Sequence, residues 1–509
     1  MKSFLLLIII FHITPPAFAQ NTKPLSAIDW LSQSVEIEQT QTISRPNLIR
    51  PSEPATSTNA DVSEITVTAL NAPSPDPIGL LPTYVTGLPR GLWATSDSTT
   101  LIDLIQKARL DTLPAIQDLM MILLLAETDP PLGAGPDGTL FLARVDKLLD
   151  IGALAPALEL LSQVNAETPA LFRRLLDVAL LTGDEDEACN TMQKMPGIAP
   201  TFPARIFCLA RSGDWAAAAL TLNTHRILGD ITTEEDALIS RFLDPKLYEG
   251  EASLPLPNRI SPLIFRMHEA IGEPLLTTQL PNAFAHADLR NTTGWKSQLD
   301  AAERLGRNGA ISENILHNIY LAHQAAATGG VWDRVSIIKD LEAAVRAEDV
   351  HAINKHLPIA WAAMAEVKLE VPFARIYAPL LVETRLSGKA ADLSLTMELL
   401  SPDYETAALK ATPNFLTALA RGLPTNSQTP IETAIATAFT DAAPAPEIEA
   451  LARNNKLGEA LLRSITNFNE GLAGNTPALI ESLAFWRSVG LEDVARNAAL
   501  QTLILDRML

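Results

Sequence analysis

Aromatic residues are scarce in this chain. They fill 5% of 509 positions while apolar residues fill 47%, so alanine and leucine carry the hydrophobic load. Strands draw on aromatic and β-branched side chains, and the shortage argues for helix over strand. Basic residues are also few: 39 Lys and Arg stand against 59 Asp and Glu, a formal charge of −20. Such a surface repels phosphate backbones and anionic lipid, which argues against nucleic acid and membrane surfaces as partners. Beyond the first residues no apolar run approaches the ~20 residues that cross a bilayer; Leu119 to Ala126 is only eight residues long. The chain has no G-x-S-x-G, no Walker loop and no C-x-x-C. Its histidine pairs, His317 with His323 and His351 with His356, are six and five apart and do not share a helix face as i, i+4 residues would. His268-Glu269 lacks the second His of a zinc helix. No catalytic, cofactor or metal site is expected.

What is present begins with an export signal. Lys2 gives a positive start, Phe4 to Ile13 an apolar run of ten broken only by His12, and Pro15-Pro16 ends it. Ala17-Phe18-Ala19 places small residues for cleavage before Gln20. Residues 1–19 are thus read as a signal peptide, and the mature chain as periplasmic without a stable membrane anchor. Cleavage removes Lys2 alone, so the charge of −20 becomes −21. The two cysteines, Cys189 and Cys208, then lie in an oxidising compartment, where a pair close in sequence predicts a disulfide.

Residues 20–96 hold nine of the 36 prolines and many Ser and Thr residues, the composition of a largely disordered arm. Within it, Ser26-Ala27-Ile28-Asp29 has the form of a capping box and opens a short helix over 25–35. Leu25, Ile28, Leu31 and Val35 make one apolar stripe flanked by Trp30. A helix of about eleven residues is too short to stand alone in water, so the stripe is a candidate docking element for a protein partner. Ile65 to Leu70 alternates like a strand. Leu80 to Trp93, with Tyr84, Leu88 and Trp93, is expected to pack on the folded body.

From Thr99 onward the pattern is helical, with Gly or Pro every 12 to 18 residues. Three segments align on one Gly and an Ala five residues later: Gly152 with Ala157, Gly183 with Ala188, Gly213 with Ala218. The glycines are 31 and 30 residues apart. Four residues before them stand Leu148, Ala179 and Leu209; nine after stand Leu161, Met192 and Leu222. The Gly frees a turn between two helices, the Ala lets them approach, and Pro169 and Pro200 are read as stopping the second helix. Asn455 with Ala460 and Gly490 with Ala495 repeat the pattern 35 residues apart. Gly309-Ala310-Ile311 and Gly330-Val331-Trp332 are candidate degenerate turns between them.

This spacing resembles the tetratricopeptide family, whose unit is about 34 residues. The first three units are shorter, and the family's Trp and Tyr positions are occupied by other residues. The resemblance implies an all-α, helical-repeat solenoid, with repeats over 97–231, a degenerate helical region over 232–449 and C-terminal repeats over 450–509. It further implies that the first helix of each unit lines a concave partner-binding groove. By offset from the Gly the candidates are Asp146, Arg173, Asp177 and Phe207. The last helix, Val494 to Leu509, is apolar on more than one face and is expected to pack back on the body or to form a dimer contact.

Two motifs carry less than they suggest. Gly133 to Gly138 matches G-x-G-x-x-G but has no strand before it, and is read as an inter-helix loop. Glu481-Ser482 resembles the start of lytic transglycosylase catalytic domains, yet only 28 residues follow Glu481. Asp184 to Glu187 is an acidic run at a helix start, where carboxylates complement the dipole. The function expected is an exported, non-catalytic scaffold binding protein partners in the cell envelope. The alternative is a cell-wall-associated enzyme, or a glycan-binding relative of the transglycosylase superhelix without its catalytic domain.

Overall fold

The computed structural model describes residues 74–164 and 168–506. The signal sequence, the 25–35 stripe with Leu25, Ile28, Trp30 and Leu31, and the alternating segment 65–70 lie outside the described residues. Within them the protein is all-helical: α-helices pack on one another from Thr83 to Ile504, with no β-strand and only two isolated bridges, Leu81 with Ala126 and Asp97 with Leu132.

The aligned glycines do what their spacing requires. Gly152, Gly183 and Gly213 take φ of 94°, 97° and 86°. The next residue turns its N–H back to the carbonyl five positions earlier: Ala153 to Leu148 (2.8 Å), Asp184 to Ala179 (2.9 Å) and Asp214 to Leu209 (2.9 Å). This is the bonding of a Schellman turn, and it satisfies carbonyls left open at a helix end. It joins helices Thr139–Ile151 and Leu154–Ser162, Pro169–Thr182 and Glu185–Lys194, and Phe202–Arg211 and Trp215–Leu228. The matching Ala157, Ala188 and Ala218 are buried. The prolines differ from expectation: Pro169 opens helix Pro169–Thr182 behind the Thr168 cap, and Pro200 precedes the Thr201 cap of the next helix. Proline fits there because a first-turn N–H has no intrahelical partner to lose.

The same turn recurs at Gly309, Asn455 and Gly490, with Ala310, Lys456 and Leu491 donating to Leu305, Leu451 and Trp486. Twice in the middle region it is made without glycine. Glu348 (φ 52°) and Lys368 (φ 58°) occupy the left-handed position, and Asp349 and Leu369 donate to Ala344 and Met364. Gly330 instead caps the start of helix Val331–Arg346.

The two ends of the described chain meet. Leu88, Leu92 and Trp93 are buried, so the expected disordered arm does not extend over 74–96; Tyr84 in the same stretch is 86% exposed and anchors nothing. The Trp93 ring packs on Gly458 in helix Leu457–Leu472, and Thr95 donates to the Asn455 carbonyl at 2.6 Å. The last helix, Glu492–Ile504, packs on Pro114–Leu125 and Phe415–Ala420, as its apolar faces predict. Gln501 accepts from the Ala115 N–H at 2.8 Å, capping a helix whose own N-cap is Leu113.

Two buried cations on helix Thr139–Ile151 tie the segments before it to this helix. Arg144, wholly buried, donates to the carbonyls of Leu124 (2.7 Å), Ala126 (3.0 Å), Asp76 (3.1 Å) and Ile78 (2.8 Å). Lys147 donates to the Ala108 carbonyl at 2.6 Å and to Asp150 at 3.2 Å. Each cation sits at the carbonyl end of a neighbouring helix, where the dipole favours it. Burial lowers the Arg144 pKa to about 10, which leaves it charged at neutral pH. A second, smaller buried cluster, from Phe172 to Met267, forms the core of the lobe around the second and third helix pairs.

Candidate functional site

The four groove candidates taken from the repeat offset do not lie on a surface. Arg173, Asp177 and Phe207 are 5%, 6% and 2% exposed, and Asp146 is mostly covered. The reason is packing. Helix Pro169–Thr182 is in contact with helices Thr139–Ile151, Leu154–Ser162, Glu185–Lys194, Pro262–Ala270 and Ala285–Asp288, which cover both its faces. Asp146 is bidentate with Arg174, at 2.5 and 2.6 Å. Arg173 lies 3.5 Å from Asp177 on the same helix. Phe207 stacks on Phe242 with centroids 5.4 Å apart. Burial drives the Asp177 pKa up to about 6 against the opposing pull of Arg173 and Arg174. The Asp146–Arg174 pair ties one helix pair to the next.

The cysteines are joined. Cys189 and Cys208 form a disulfide with Cα atoms 4.9 Å apart, between the second helix of one pair and the first helix of the next. The acidic run at 184–187 opens helix Glu185–Lys194, and Glu185 is buried there between Arg266 (2.5 Å) and Arg211 (3.5 Å). Arg266 also reaches Glu269, which Arg290 holds at 2.8 Å. Arginine, not a cation from solution, thus neutralises these carboxylates. Gly138 of the glycine-rich motif caps a helix and is covered by Pro75, so no phosphate cradle opens there. Glu481 lies in helix Thr476–Ser488, whose Leu479, Leu483 and Trp486 are buried; the indole donates to Ser464 at 2.7 Å.

Two surfaces that no sequence motif marked are the candidates that remain. The first is a groove of about 500 Å³ between helices Val331–Arg346 and Val350–Ala365. Its lining is apolar at Ile337, Pro358, Ile359, Ala362 and Ala363 and acidic at Asp333 and Glu366. The lining's one cation is drawn away: Arg334 is bidentate with buried Glu303, at 2.7 and 2.6 Å, and Glu303 also accepts from Tyr320 at 2.6 Å. Pro358 lies inside its helix and has no N–H to give the ladder. The second surface is the outer face of helix Trp215–Leu228, where Leu220 and Ile227 are 68% and 85% exposed.

Among the described residues no helix is long and apolar enough to cross a membrane, and no group of three or more His, Cys, Asp or Glu is placed to hold a metal ion. Compared with known proteins, the chain matches no family model, no curated protein and no solved structure.

Proposed function

We propose that this chain is an exported, non-catalytic scaffold, built as a tetratricopeptide-like solenoid, that holds a protein partner in the cell envelope. The observation that carries the reading is the groove between helices Val331–Arg346 and Val350–Ala365. It has the volume of a binding site, about 500 Å³ within the usual ~300–1,000 Å³. A largely apolar lining with Asp333 and Glu366 in it suits an amphipathic helix laying its apolar face down with basic residues at its margins. The recurrence of one left-handed turn from Gly152 to Gly490 supports a repeat architecture. The Ala17-Phe18-Ala19 site and the Cys189–Cys208 disulfide support export to the periplasm.

The test places a photo-crosslinking residue at Ile359 in intact cells. One partner should be captured, and the double variant Asp333→Lys/Glu366→Lys should lose it. The same probe at Leu409, which is 72% exposed elsewhere, should capture nothing. No adduct at 359, or the same adducts from 409, overturns the proposal.

A further inference from the structure

We propose that the outer face of helix Trp215–Leu228 is a two-fold interface between copies of this chain. The proposal is independent of the groove reading. Ala216, Ala219, Leu220, Asn223, Thr224 and Ile227 recur at three- and four-residue spacing and form one stripe. All six are exposed, whereas Ala218 and Leu222, on the opposite face, are buried on the helix behind. None of the six is charged, in a chain of formal charge −20.

The stripe is not what its position in the pair requires. Helix Glu185–Lys194 occupies the corresponding place one unit earlier. It presents Asp186, Glu187, Asn190, Gln193 and Lys194 to solvent. The 215–228 helix has exchanged such residues for alanine, leucine and isoleucine. Its support is stiff: it packs on helix Phe202–Arg211, which the Cys189–Cys208 disulfide ties to the preceding unit. A preformed surface loses little freedom on association.

The occupant is indicated by the order of sizes along the stripe. Small residues stand at the N-terminal end, Ala216 and Ala219, and the large Ile227 at the other. Two antiparallel copies related by a two-fold axis between positions 221 and 222 place Ile227 of each over Ala216 of the other. Leu220 then faces Asn223, and Ala219 faces Thr224. The large Ile227 meets the small Ala216 at both ends, and none of the paired residues is charged. A two-fold interface must be self-complementary in this way. Leu220 and Ile227 are the stripe's only large apolar residues, so a single helix face of this kind falls short of the ~800 Å² per partner in a standard stable interface. The dimer is therefore weak and concentration-dependent.

The double variant Ala216→Cys/Ile227→Cys tests the register. Within one chain these positions are about 16 Å apart along the helix, so no internal bond is possible. Mild oxidation should give a covalent dimer on a non-reducing gel, while either single variant stays monomeric. Sedimentation of the full chain should show mass rising with concentration, and Ile227→Glu should abolish the rise without changing the melting temperature. A wild-type chain that stays monomeric up to about 100 μM, on the scale of weak association, overturns the proposal. So does crosslinking by the single variants, which requires another pairing. If mass rises only after residues 20 to 60 are removed, the chain's own N-terminal segment covers the stripe and the proposal also fails.

Discussion

Trp93 and Gly458 are locked together: a Cβ at position 458 would stand 2.2 Å from carbons of the indole ring. The glycine is there because nothing larger fits under Trp93. Gly458→Ala should force the ring out of place and destabilise the fold by about 1–3 kcal/mol, the usual cost of overpacking. The mutation sits in the first turn of its helix, and within a helix Ala is otherwise better than Gly by up to ~1 kcal/mol. A gain in urea midpoint would show that the two ends of the chain are not held by this contact.

Asp177 and His286 should give opposite pH dependences in the acid range. Asp177 has its folded pKa raised by burial to about 6. Between the unfolded value near 3.9 and about 6 the native state keeps a proton that the unfolded chain releases, so stability falls as pH rises through that window. His286 behaves the other way. Half-buried, with Nε2 at 2.6 Å from the Gly152 carbonyl, its pKa is lowered by desolvation to about 4. Its contribution is complete above the unfolded value near 6.5 and is lost as pH falls toward 4. Each is worth about 1–3 kcal/mol. Asp177→Asn should therefore make stability rise more steeply with pH between 4 and 6, and His286→Gln should flatten or reverse that rise. Parallel slopes for wild type and both variants would remove this assignment.

The sequence announced its helix pairs only where glycine or asparagine stood at the turn. Gly152, Gly183, Gly213, Asn455 and Gly490 were legible for that reason. The turns at Glu348 and Lys368 were not, because side chains that resist the left-handed region occupy them. Glu348 is solvent-exposed and its turn is fixed by the same backbone bonding. Glu348→Gly should then raise stability by about 0.5–1 kcal/mol, the strain relieved less the extra freedom of an unfolded glycine. A lower urea midpoint would mean that the carboxylate itself supports the turn.

The candidate site was legible in a different degree. The offset from each Gly correctly locates first helices, but the tetratricopeptide resemblance places Arg173, Asp177 and Phe207 in an open groove because it implies that first helices line one; they are buried. Arg173 and Asp177 are covered by distant sequence, helices Pro262–Ala270 and Ala285–Asp288, which pack on Pro169–Thr182, while Phe207 stacks on Phe242. The groove at 331–366 has no motif at all, since its apolar lining is ordinary isoleucine, proline and alanine. Only the withdrawal of Arg334 toward Glu303 makes its lining acidic.

The contact between Trp93 and Gly458 also sets a timetable. The two residues are 365 positions apart, and closing so long a loop costs only slightly more than closing a shorter one, about 0.6 kcal/mol per doubling. The burden is delay. At about 5–20 residues per second, a ribosome needs roughly 20 to 70 seconds to deliver position 458 after position 93. Through that interval Trp93 has no partner helix to cover it, and a chain stopped short of Gly458 never acquires one.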